Sequence, residues 1–158
     1  MSSEDHAALA ALFRSTGGTR WKQKKSGDTD ADLSQWYGVR VNEDGRVVEV
    51  GLYHNNLEGT IPVALGALTE LGALYVHGNK LTGSIPKALG ERTELTHLWL
   101  DVNNLTGSIP TSLGSLRKLR GLHLSDNQLV GSIPEALGAL KELALLYLDG
   151  NKLTGERE

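Results

Sequence analysis

The four prolines of this chain stand at an even 24-residue spacing, at Pro62, Pro86, Pro110 and Pro134. Each follows an isoleucine (Ile61, Ile85, Ile109, Ile133), and three residues before each lies a glycine (Gly59, Gly83, Gly107, Gly131), a series that Gly155 continues. Asparagine keeps the same phase at Asn55, Asn79, Asn103, Asn127 and Asn151, with leucine two residues later at Leu57, Leu81, Leu105, Leu129 and Leu153. A fixed period sustained over this distance restricts the chain to a stack of similar units, because one short unit cannot bury its own apolar face.

Within a unit the pattern can be read physically. The last two leucines of Leu95-Leu98-Leu100, Leu119-Leu122-Leu124 and Leu143-Leu146-Leu148 alternate with a polar or aromatic residue. A period of two predicts a short strand with one buried face. The following Asn marks a turn, and asparagines one unit apart can satisfy the turn backbone. Gly then opens a conformation closed to other residues, and Ile-Pro starts a short extended or helical stretch. Leu65, Leu89, Leu113 and Leu137 cover the opposite wall, each followed by Gly. Stacked strands should form a parallel sheet with about 4.8 Å between neighbours.

These residues resemble the leucine-rich repeat family in its plant-type 24-residue class. The resemblance runs from Val47 to Gly155. It divides into units 47–70, 71–94, 95–118 and 119–142, with a partial fifth over 143–158. It implies an α/β fold, a right-handed, curved leucine-rich repeat solenoid with about five parallel strands on its concave face. One departure is internal: Arg92 replaces the leucine found at Leu68, Leu116 and Leu140. It is expected to snorkel along the convex wall.

Residues 1–46 read as a cap for the first layer. Ser3 to Phe13 predicts a helix with Glu4 and Asp5 at its positive end and Leu9, Leu12 and Phe13 on one face. Gly17 and Gly18 end it. Val39-Arg40-Val41, the turn Asn42-Glu43-Asp44-Gly45 and Val47 onward predict a hairpin feeding the first repeat. The segment is similar to N-terminal caps of plant-type repeats. Trp36-x-Gly38-Val39 fits their pattern, but Val41 stands where they carry cysteine. Together with Ser15-Thr16-Gly17-Gly18 and Trp21, it looks closer to the cysteine-free caps of algal and microbial leucine-rich repeat proteins. Trp21 and Trp36 are assigned to the cap's core.

Composition narrows the function classes. The chain has 158 residues and a net charge of −3, which argues against nucleic acid as the main partner. It has no cysteine, hence no thiolate metal site, disulfide or cysteine nucleophile. No apolar run approaches the roughly 20 residues of a membrane-spanning helix. The start lacks a basic and apolar leader, so a cytoplasmic location is expected unless the chain is a mature or truncated form of a secreted protein. No cofactor and no metal are expected.

Recognition would be written where exposed strand positions vary between units. One column runs Gly51, Tyr75, Trp99, His123, Tyr147; the next runs Tyr53, His77, Asp101, Ser125, Asp149; a third runs His54, Gly78, Val102, Asp126, Gly150. An outer column runs Glu49, Ala73, His97, Gly121, Leu145. Aromatics on an uncovered sheet are typical interface anchors. The expected site is therefore Tyr53, His54, Tyr75, His77, Trp99, Asp101, Val102, His123, Ser125, Asp126, Tyr147 and Asp149.

Sharper chemistry lacks support in the pattern. His77, Asp101 and His123 could converge on a metal, and Ser125 with His123 and Asp101 echoes a hydrolase triad, but nothing in the sequence positions either. Arg20 to Lys25 reads as a solvated basic loop. Asn104-Leu105-Thr106 is a glycosylation sequon. The sequence points to a non-catalytic module that binds a protein on the concave face, with a glycan as the alternative ligand. Its last strand would leave an edge bare, which suits a fragment of a longer solenoid, an assembly surface or a weak dimer.

Overall fold

The computed structural model describes residues 3–24 and 32–155. Helix α1 spans Ser3–Ser15. Ten short strands follow: β1 Val39–Val41, β2 Val47–Gly51, β3 Glu58–Thr60, β4 Ala73–Tyr75, β5 Lys80–Thr82, β6 His97–Trp99, β7 Gly121–His123, β8 Val130–Ser132, β9 Leu145–Tyr147 and β10 Lys152–Thr154. One sheet runs in the order β1-β2-β4-β6-β7-β9. The hairpin β1–β2 is antiparallel, and every later pairing in that sheet is parallel. The pairing register equals the repeat: Leu74 faces Leu98, Leu98 faces Leu122 and Leu122 faces Leu146.

The opposite wall is built from single-turn 3₁₀ segments at Val63–Ala67, Lys87–Glu91, Thr111–Ser115 and Glu135–Ala139. Each starts after a proline in extended conformation, which settles the extended-or-helical alternative as one following the other. Gly114 shows why glycine follows the wall leucine. A Cβ there would lie 2.5 Å from the Ala136 Cβ and 2.7 Å from the Ala136 carbonyl oxygen. Adjacent turns pack too closely to admit it.

Between sheet and wall lies one continuous leucine core, sealed along its middle: Leu98, Leu100, Leu105, Leu113, Leu122 and Leu124 are fully buried. The asparagines form the expected ladder. Asn79 Oδ1 accepts from the amides of Asn55 (2.9 Å) and Leu57 (3.0 Å) of the preceding unit, while its Nδ2 donates to the carbonyls of Leu52 and Val76. Asn103 and Asn127 carry the ladder on with one amide each: their Oδ1 atoms accept from Leu81 and Leu105, and their Nδ2 atoms donate to carbonyls of the preceding and the same unit. Arg92 is half-buried, as a snorkelling side chain requires, with its Nε inside and unpaired.

The cap closes the first layer with parts the repeat pattern does not contain. α1 packs on the first 3₁₀ turn, and Phe13 meets Trp21 edge to face at 5.1 Å. Trp21 and Trp36 are buried, as expected of cap core. The helix runs two residues past the expected Phe13, because the Thr16 amide and hydroxyl both bond back to the Leu12 carbonyl. Asp5 does more than favour the helix dipole. It is fully buried, accepts two hydrogen bonds of 3.0 Å from the Arg46 guanidinium and one of 2.8 Å from the Val47 amide, and so pins the helix to the hairpin. The basic loop is also fastened: Asn55 exchanges hydrogen bonds with the Gln23 backbone and takes the Lys22 amide on its own carbonyl. The cap thus supplies the ladder partner that a preceding repeat would have given. Lys25 of that loop lies outside the described residues.

Candidate functional site

The uncovered face of the main sheet carries the aromatic column as a run of touching rings. Strand register brings Tyr75 opposite Trp99, Trp99 opposite His123 and His123 opposite Tyr147. Tyr75 meets Trp99 edge-on at 5.1 Å, Trp99 stacks on His123 at 4.3 Å with 13° between planes, and His123 meets Tyr147 at 4.6 Å. Parallel strands set such contacts, since their spacing matches an aromatic stacking distance. The second column joins the first: Tyr53 stacks on His77 at 4.9 Å, and His77 leans on Trp99 at 5.3 Å. Tyr53, Tyr147 and Val102 stay exposed, while Tyr75, His77, Trp99, Asp101 and His123 are half-buried by one another.

The third column differs from the sequence reading. The strands end with the first column, and the backbone turns left-handed at His54 (φ 49°), Val102 (φ 54°) and Asp126 (φ 56°). Gly78 and Gly150 take the same conformation. His54, Val102 and Asp126 therefore rim the face at a strained turn and are not part of the extended sheet. The Asn ladder holds that turn in place and offsets the strain.

Polar satisfaction singles out the centre of the face. His77 Nδ1, Trp99 Nε1, Asp101 Oδ1 and His123 Nε2 are buried and have no hydrogen-bond partner. Buried polar atoms are normally paired, so four orphans on adjacent strands are unusual. Trp99 Nε1 and His123 Nε2 border the space above Gly121, 3.5 and 3.7 Å from where a Cβ would stand. Burial is the main cause that lowers the His77 titration, with Asp101 opposing it and His54 and His123 adding to it. His123 is likewise lowered by burial, against the pull of Asp101. Burial raises the Tyr75 phenol, helped by Glu49. Burial thus favours the neutral form of both histidines, beside an acid that has no ion-pair partner among the described residues.

Two sharper arrangements do not assemble. The Ser125 hydroxyl donates to Asp149 Oδ1 at 2.7 Å and not to His123, so no relay forms. Among the described residues no group of three His, Asp or Glu side chains is arranged to hold a metal. No helix is long and apolar enough to cross a membrane among the described residues.

Comparison with known proteins places this geometry. The family model described as leucine rich repeat matches residues 93–153. The BIR2 ectodomain from Arabidopsis thaliana is 31% identical with a TM-score of 0.88, the match covering 96% of this chain and 82% of that one. The ectodomain of the Arabidopsis thaliana membrane receptor kinase GASSHO1/SCHENGEN3, solved with CASPARIAN STRIP INTEGRITY FACTOR 2, is 34% identical with a TM-score of 0.87, over 94% of this chain and 18% of that one. A probable leucine-rich repeat receptor-like protein kinase of the same plant is 36% identical over 74 residues, which is 47% of this chain and 8% of the relative. The chain belongs to the leucine-rich repeat family, in its plant-type class. It spans about a twelfth of the length of that curated relative.

The cytoplasmic expectation is overturned by these relatives. Both are ectodomains, one of them that of a plant membrane receptor kinase, and an ectodomain is the part that lies outside the cell. That expectation rested on the first residues alone, which do not decide where a folded module is displayed; the cap itself is closed by α1, Trp21, Trp36 and the Asp5–Arg46 pair without a disulfide.

Proposed function

We propose that this chain is a non-catalytic recognition module that binds a peptide or protein segment along the concave sheet. The observation that carries the reading is the run of rings from Tyr53 to Tyr147 with orphaned polar atoms at its centre. Rings fixed by their neighbours lose little entropy on binding, and partly desolvated aromatics are frequent hot spots. Unpaired donors and acceptors give a partner something to complete, so affinity and specificity come from the same few residues. A related ectodomain bound to a named factor fits this reading. Tyr75, Trp99 and Tyr147 serve as anchors. His77, Asp101, His123, Ser125 and Asp149 set specificity, while Tyr53, His54, Val102 and Asp126 form the rim.

Selection of displayed random peptides on the immobilised protein tests the reading. Expected is an enriched consensus whose binding falls at least about tenfold in a Tyr75→Ala, Trp99→Ala variant. Asp101→Asn serves as the second variant, since it leaves the ring run intact should the double variant melt early. Enriched peptides that bind all three proteins alike overturn the concave-face assignment.

A further inference from the structure

Asp101 sits between His77 on one side and Ser125 on the other in the second column. Its Oδ1 is buried and accepts no hydrogen bond. The Ser125 hydroxyl, next to it in the column, is spent on Asp149. A carboxylate in this position is costly without a donor, and a charged donor stabilises it most. Its charge acts on His77 of the preceding unit and His123 of the following one; Tyr53 and His54, one unit further back, pack against His77, Trp99 precedes it on its own unit, and Asp126 lies on the following one. None is a lysine or arginine. Elsewhere on this face Arg40 is paired with Glu49 at 3.2 Å, and Asp149 and Asp126 add negative charge. Among the described residues the centre of the face therefore holds no cation of its own, since Arg40 is engaged by Glu49, and Asp101 stands there as an acceptor on a flat aromatic surface.

Resting on the recognition reading above, we propose that Asp101 is the anchor for an arginine side chain of the bound peptide, its guanidinium completing Asp101 Oδ1 and His77 Nδ1 beside the rings of His77 and Trp99. A guanidinium suits this place better than an ammonium. It presents several donors in one plane, lies flat against rings and is weakly hydrated. Trp99 Nε1 and His123 Nε2 remain for the peptide's own backbone, beside Gly121 and the edge of the His97 ring. Neutral His77 is needed as an acceptor, so protonation of His77 and His123 works against the cation.

The test is a titration of the whole chain with end-blocked Gly-Gly-Arg-Gly-Gly, followed by the indole N–H signals of Trp21, Trp36 and Trp99 in NMR. Expected is a shift of the Trp99 signal alone, saturating at millimolar peptide. The same peptide with citrulline, a neutral isostere, should bind about tenfold more weakly or worse, and so should the arginine peptide to Asp101→Asn. Affinity should drop on acidification below about pH 6.5, where imidazole takes up a proton. An unmoved Trp99 signal, equal binding of citrulline, or undiminished binding to Asp101→Asn overturns the arginine assignment. A selected peptide consensus that needs Trp99 but carries no arginine would remove this inference and leave the recognition function standing.

Discussion

Leu74 and Leu146 hold the same place in their units, yet Leu74 is fully buried and Leu146 is 40% exposed. The first lies one unit behind the cap, the second on the last strand of the sheet. Leu145 and Tyr147 beside it are also exposed, as is Ile133 in the wall of the unit before. Burial here is therefore a property of the neighbouring layer and not of the residue. At the first layer α1, the β1–β2 hairpin and the Lys22–Gln23 backbone stand in for the missing unit; at the last no described residue does. The lesson is that stability in such a stack is a nearest-neighbour quantity, shared across interfaces.

The strongest way to break the comparison is to remove the cap's pin. Asp5→Ala would leave the Val47 amide unanswered and the Arg46 guanidinium with Thr69 alone, and unfolding in urea should register a loss of about 3–5 kcal/mol. A loss under about 1 kcal/mol would mean that the cap is held by its apolar contacts alone. Next comes the leucine pair. Leu98→Ala, in a sealed layer, should cost about 2–5 kcal/mol, and Leu146→Ala less than about 1 kcal/mol, both read from urea midpoints. Equal costs would show that the exposed strand is covered in solution. Sedimentation at rising protein concentration would then identify a second copy as the cover.

The asparagines sharpen the same contrast at smaller amplitude. Asn79→Ala orphans the amides of Asn55 and Leu57 in the interior and should cost about 2–3 kcal/mol. Asn151, like Asn103 and Asn127, accepts from a single amide, so Asn151→Ala should cost roughly 1 kcal/mol and the larger loss belongs to the unit behind the cap. The smallest effect is that of pH. Burial lowers the titration of His77 and His123, so below about pH 6.5 the unfolded chain binds protons that the folded chain resists. Melting temperature should therefore fall as pH drops through that window, and His77→Gln with His123→Gln should flatten the slope. A slope unchanged by the pair would place the effect in other groups.

Most of the fold was legible before any coordinates, because every unit repeats the same solution. Four prolines, four isoleucines and five asparagines in phase are enough to specify strand, turn and wall. The candidate site was legible in part. Columns one and two lie where the period of two places them. Column three does not, since the period says nothing of where a strand ends. The left-handed turn at His54, Val102 and Asp126 is imposed by the Asn ladder, and no residue type at those positions announces it. Gly78 and Gly150 in the same column were the available signal.

What the sequence determined by itself is the period, and with it the parallel sheet, the leucine core and the alignment of Tyr75, Trp99, His123 and Tyr147 on one face. Residues in phase must stack once units stack, whatever their chemistry. Everything that depends on contacts across units, and on distances that no period encodes, was settled later, in the packed stack. Asp5 became a buried anchor for Arg46 instead of a helix-end charge. Ser125 turned to Asp149 and away from His123. The polar atoms of His77, Trp99, Asp101 and His123 were left buried together without partners. Hydrogen bonds are directional and short-ranged, so their pairing is settled only when the layers have met.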